Sequence, residues 1–167
     1  EISDDCDGNG VPDDCQREAQ ALLGEYYPNV ELAGEPISRL DAGIFFDFGP
    51  AESRPEGIPG NDFSVRWTGA LRTTVAGEYE LGLRHDDGVR LYIDGAPVID
   101  RWGPSGGDLD TVIIEFGADE QHHVRLDYYQ GAAGALLEGV GDWGHCVANY
   151  FNTVVFPKEQ QTGMDRD

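Results

Sequence analysis

Two groups of oxygen-bearing residues in this chain have types and spacings that could do chemistry. The first is Asp5-Cys6-Asp7-Gly8-Asn9-Gly10-Val11-Pro12-Asp13, near the start. Asp5, Asp7, Asn9 and Asp13 place side-chain oxygens where a calcium loop needs them, Gly10 allows the sharp turn, and Val11 offers a backbone carbonyl. The last ligand, ordinarily a bidentate glutamate, is here Gln16, so the loop is incomplete and its role structural. The alternative is an acidic linker closed by a disulfide between Cys6 and Cys15. The second group is Asp86-Asp87-Gly88. Adjacent carboxylates repel one another unless a cation joins them, yet aspartate and glycine are also what a turn between strands uses. Because Asp4-Asp5 and Asp13-Asp14 repeat the dipeptide, position in the fold has to decide.

Other constellations are absent from the sequence. His122-His123 is an adjacent pair, which cannot aim both rings at one metal from a strand, and His145 stands alone beside Cys146; all three read as solvated surface residues. No nucleophile elbow, glycine-rich phosphate loop or zinc motif occurs, and among 32 acidic residues some pair will fall at a glycosidase separation by chance. The chain is therefore expected not to be an enzyme, although a parent protein carrying it could be one.

The elements that must position these groups follow from composition and periodicity. With 32 Asp plus Glu against 11 Lys plus Arg, the net charge of −21 excludes nucleic acid and anionic membrane as natural partners and favours cations. Nothing approaches the roughly 18 apolar residues of a membrane span. The 23 glycines and 9 prolines imply many turns, hence short strands rather than long helices. Apolar residues recur at every second position in Phe63-Val65-Trp67, Tyr79-Leu81-Leu83, Val89-Leu91-Ile93, Val112-Ile114-Phe116 and Val124-Leu126-Tyr128, as half-buried strands require. Asp94-Gly95 is a two-residue hairpin signal. No helical stripe separates these strands, so they pair antiparallel; a short helix over Asp14 to Leu23 is the one exception expected. Residues 1–20 read as the acidic segment, 21–140 as an all-β sandwich and 141–167 as a closing strand, near Tyr150 to Phe156, with a solvated tail. Beginning at Glu1, with Met164 its sole methionine and no leader pattern, the chain reads as a mature or excised piece of a longer protein.

The segment from Gly77 to Gly95, with His85-Asp86-Asp87-Gly88 at its centre, resembles the middle of the protective-antigen fourteen (PA-fourteen) domain family, β-sandwich modules of toxins, adhesins, glycosidases and flocculins. Leu23-Gly24-Glu25-Tyr26-Tyr27 resembles that family's opening strand, Phe63 to Gly69 a later strand and Val124 to Ala132 its closing region, so the likeness covers about Ala21 to Leu137. The acidic head is similar to the calcium loops of thrombospondin type 3 and dockerin modules. In lectin members of the sandwich family, two consecutive aspartates joined by a cis peptide hold one calcium ion that binds sugar hydroxyls. The resemblance puts Asp86 and Asp87 in that role, with Gln130 and the carbonyls of Gly131 and Ala132 completing the metal's ligands where an Asn or Asp is more familiar. It places His85 and Trp102 beside the sugar pocket, although His85 as readily caps the end of its strand and Trp102, after Val98-Ile99-Asp100-Arg101, is expected to pack in the core instead. What it implies is a calcium-dependent, glycan-binding module, secreted or at the cell surface, joined to other modules of the same polypeptide. The alternative is a non-lectin spacer or protein-interaction module.

Overall fold

The computed structural model describes residues 22–49, 53–73, 75–132, 134–141, 143 and 154–155. Each apolar series is a strand there. Phe63, Val65 and Trp67 lie in β4 (Phe63–Thr73), Tyr79, Leu81 and Leu83 in β5 (Gly77–Asp86), and Val89, Leu91 and Ile93 in β6 (Gly88–Ile93). Val112, Ile114 and Phe116 lie in β8 (Asp108–Phe116), and Val124, Leu126 and Tyr128 in β9 (Glu120–Gln130). The remaining strands are β1 (Leu22–Tyr27), β2 (Ile37–Asp41), β3 (Phe45–Asp47), β7 (Ala96–Arg101), β10 (Leu136–Gly141) and the two-residue β11 (Val154–Val155). Among the described residues no α-helix occurs, and so none long and apolar enough to cross a membrane. The helix expected over Asp14 to Leu23 is corrected at its end, where Leu22 and Leu23 open β1; the rest of it lies outside the described residues.

The strands form two sheets, ordered β2-β1-β4-β9-β6-β7 and β3-β10-β5-β8, with β11 also on β4. Every pairing is antiparallel except β11 with β4. The two facing layers make an all-β sandwich. Of the closing strand expected near Tyr150 to Phe156, the described residues hold Val154 and Val155, which run parallel to β4 at Arg72 and Thr73. One side of β1 is taken by β2, and its pairing with β4 ends at Leu23 and Thr68, which leaves that end of β4 open. At the expected hairpin, Asp94 (φ 50°) and Gly95 (φ 82°) both have positive φ, as the two-residue turn between β6 and β7 demands.

Between the sheets the inward positions fill the core. Trp67, fully buried, stacks on Phe46 with ring centres 4.9 Å apart and meets Tyr26 edge-on at 6.0 Å. Its indole nitrogen donates to the buried Asp41 carboxylate at 2.8 Å, which also accepts from the Tyr26 hydroxyl at 2.6 Å and from Arg39. On the outer face of the larger sheet, Asp127 is buried between two guanidinium groups, at 2.8 and 3.1 Å from Arg66 and at 3.1 and 2.6 Å from Arg125. Burial would raise the Asp127 carboxyl, but its bonds to Arg66 and Arg125 outweigh it and hold the group below the usual carboxylate range. A depressed folded-state value means that the stability it contributes is present above the unfolded value and lost as pH falls through the folded one. The thermal midpoint is therefore expected to drop below about pH 4, and the double variant Arg66→Met, Arg125→Met to show a shallower drop in the same pH scan.

His122 differs from expectation. Its side chain is 13% exposed, set between Asp94 at 2.7 Å and Glu120 at 3.1 Å with its ring 4.4 Å from that of Phe116, so it clamps two turns together rather than projecting into solvent.

Candidate functional site

β5 belongs to the smaller sheet and β6 to the larger, and Asp87 alone lies between them. Asp86-Asp87-Gly88 is therefore a crossing between layers rather than a hairpin turn. The Asp86–Asp87 peptide bond is cis. The Asp87 amide donates to the Tyr129 carbonyl at 3.3 Å, and its buried carboxylate accepts from two loops, from Ser105 N at 3.2 Å and from Gly131 N at 2.8 Å. Asp86, half-buried, faces the loop after β9, where a Cβ on Gly134 would come within 2.9 Å of its Oδ2. Gly88 is required by close approach, since a Cβ there would lie 2.2 Å from the Tyr129 ring.

The electrostatics follow from this crowding. Burial, then the charge of Asp87 and a hydrogen bond with it, push the Asp86 carboxyl above its ordinary value, opposed only by His85. Two acids thus share a pocket with too little positive charge nearby. Among the described residues no group of three or more His, Cys, Asp or Glu side chains is arranged to hold a metal. Further ligands would have to be amide and carbonyl oxygens, the hard donors that calcium takes.

Gln130 and Gly131 fit that requirement. Gln130 ends the inward series of β9, is fully buried, and places Oε1 3.1 Å from the Tyr128 hydroxyl while Nε2 has no partner. The Tyr128 hydroxyl also meets the Asp86 carbonyl. A phenol has one proton and cannot donate to both acceptors. Turning the Gln130 amide over lets Nε2 donate to the phenol oxygen, which donates to Asp86, and leaves the buried Oε1 as the atom without a partner. That is an oxygen of the kind a hard cation takes. The Gly131 carbonyl accepts from Asp62 N at 2.9 Å and keeps a second lone pair, and Ala132 is exposed beside it.

His85 is buried behind the pair, with Nδ1 2.5 Å from the Asp87 carbonyl and Nε2 2.9 Å from Asp110. It braces the crossing. Asp110 also meets Arg101 at 2.8 Å; burial raises its carboxyl, but His85 and Arg101 bring it below the usual range. Trp102 is not a core residue: it is half-buried on the outer side, its ring 4.8 Å from that of Tyr129 and beneath the Arg90 guanidinium at 4.8 Å. With His85, Ser105 and residues 108–110 it lines a cleft of about 480 Å³ beside the aspartate pair. Tyr128, Ser105 and Gly134 were missed in the sequence. Tyr128 could have been found as the neighbour of Gln130 on the inward face, whereas no pattern pointed to Ser105. Asp5, Asp7, Asn9, Val11 and Asp13 lie outside the described residues.

A family model described as PA14 domain matches residues 18–152. The chain belongs to the PA14 domain family. This PA14 domain is 36% identical over 110 residues to the anti-sigma-I factor RsgI3 of Acetivibrio thermocellus, an alignment that covers 65% of this chain and 17% of that protein. Among solved structures, an anti-sigma factor domain-containing protein matches with a TM-score of 0.70 at 28% identity, over 84% of this chain and 49% of that one. The PA14 sugar-binding domain from an RTX adhesin matches with a TM-score of 0.58 at 24% identity, over 75% of this chain and 92% of that one, a likeness of fold. The PA14 domain described here thus spans less than half of either anti-sigma relative.

Proposed function

We propose that this PA14 domain is a calcium-dependent carbohydrate-binding module of a larger extracellular or cell-surface protein, and that it binds without catalysing. Asp86 and Asp87 hold the ion, with Gln130 Oε1 and the carbonyls of Gly131 and Ala132 as the further ligands. The observation that carries this is the crowding of two carboxylates across the cis peptide at the sheet crossing, with the Asp86 carboxyl raised by burial and by the charge of Asp87, and a buried amide beside it that has an atom to spare. Bound calcium would supply coordination places that two neighbouring sugar hydroxyls can take in exchange for water. The chain's own contribution is to orient the acids: Ser105 N and Gly131 N fix Asp87, and Tyr128 and His85 grip the backbone on either side. The solved RTX adhesin domain described as sugar-binding supports the same use of the fold. The acidic head, Asp5 to Asp13, is a second and structural calcium loop in this proposal.

The anti-sigma relatives favour a second reading, a spacer or protein-interaction module within a regulatory protein. Calorimetric titration with simple sugars separates the two. Heat of binding that requires calcium and vanishes with chelator is expected for the first; no sugar binding at any calcium concentration would leave the second.

A further inference from the structure

A strand at the edge of a sheet turns unpaired N–H and C=O groups outward, and proteins blunt such edges with short strands, prolines, bulges or charge. Most edges of this sandwich are blunted in that way. β2 and β3 are 5 and 3 residues long, and β7 carries Pro97 beside a register shift between Leu91 and Tyr92. β8, the end strand of the smaller sheet, is different: its 9 residues, Asp108 to Phe116, include no proline, lysine or arginine. It pairs with β5 along its whole length on one side. Among the described residues no strand pairs its other side.

The side chains of this edge are apolar on both faces. Leu109, Thr111, Ile113 and Glu115 share the outer face, with Leu109 45% and Ile113 56% exposed. On the inward face Val112 and Ile114 pack against the core and remain half-buried. One added strand would cover both rows, because its alternate side chains would lie beside Leu109 and Ile113 outside and beside Val112 and Ile114 inside. Charge narrows the choice of occupant. Glu115 stands directly opposite Glu78 of β5, both are exposed, and among the described residues neither forms an ion pair. Like charges so placed repel, which favours a lysine or arginine beside Glu115. A second copy of the chain fits poorly, since it would bring a net charge of −21 to a net charge of −21.

We propose that β8 is a docking edge for another protein, and that its occupant is an extended segment of alternating apolar residues flanked by lysine or arginine, added as a further strand to the smaller sheet. Neither calcium nor the aspartate pair takes part. The probe is a short fluorescent peptide of alternating valine and threonine with lysine at each end, titrated against the full chain in chelator and read by anisotropy. Saturable binding is expected. N-methylation of the peptide amides, which removes their hydrogens and keeps the charge, should weaken it at least about tenfold, as should glutamate in place of the terminal lysines. Ile113→Lys should weaken it about tenfold and Glu115→Gln about threefold, both with the wild-type melting temperature. Unchanged affinity in Ile113→Lys, equal binding of the methylated peptide, or no binding of any peptide would overturn the edge assignment. Equal binding of the glutamate-ended peptide would overturn the basic occupant. Sedimentation of the chain alone as a dimer that Ile113→Lys dissolves would give the edge to a second copy instead. Because chelator is present throughout, none of these results depends on sugar binding.

Discussion

Asp86→Asn is expected to weaken calcium binding at the crossing by about 100-fold, the effect of taking one charged oxygen from a hard-cation site, and sugar binding should disappear with it. The fold should survive. Ionised Asp86 is disfavoured by its burial and by Asp87, so in chelator the variant should melt at the wild-type temperature or above it. Asp87→Asn should behave differently, because both oxygens of Asp87 accept backbone amides that hold the loops before β8 and after β9. It should lose ion binding and stability together, by about 1–3 kcal/mol. The decisive measurement is calcium titration paired with thermal melts in chelator. Wild-type affinity for calcium in Asp86→Asn would remove the aspartate pair from the metal site.

The second large effect is in the core. Trp67→Ala is expected to cost about 3–5 kcal/mol, read from urea unfolding midpoints. The indole is fully buried among Phe46, Phe48, Tyr26 and Tyr128, so its removal opens a cavity that flat neighbouring rings cannot close by rotating. It also takes one donor from Asp41, whose buried carboxylate depends on Tyr26, Arg39 and Trp67 together. Ile113→Ala, at a β8 position 56% exposed, is the control and should stay within about 0.5 kcal/mol of the wild type. A Trp67→Ala loss no larger than that of the control would mean the aromatic cluster is not what holds the sheets together.

Strands were legible because a period of two survives in any half-buried sheet, and Phe63-Val65-Trp67 or Val124-Leu126-Tyr128 show it without reference to what they face. The Asp94-Gly95 turn was legible because its backbone demands residues that tolerate positive φ. Which sheet each strand joins was not. Asp86-Asp87-Gly88 looks the same in sequence whether the chain doubles back or crosses to the opposite layer, since the difference lies in partners some 40 residues away, at Tyr129 and Gly131. Trp102 was open to a core placement because an aromatic after an apolar run has no directional mark. His85 and Gln130 carried a clue that periodicity could have yielded: each continues an inward apolar series by one step, Tyr79-Leu81-Leu83 and Val124-Leu126-Tyr128. A polar residue at such a place is committed to the interior end of the sandwich.

Asp87 grips a loop with each of its oxygens, Ser105 on one flank and Gly131 on the other. Neither flank can shift without dragging the same carboxylate. A displacement of the Ser105 side puts tension on the Gly131 side as well. A short side chain thereby works as a crossbar, and the two rims of the mouth answer to a load as one part.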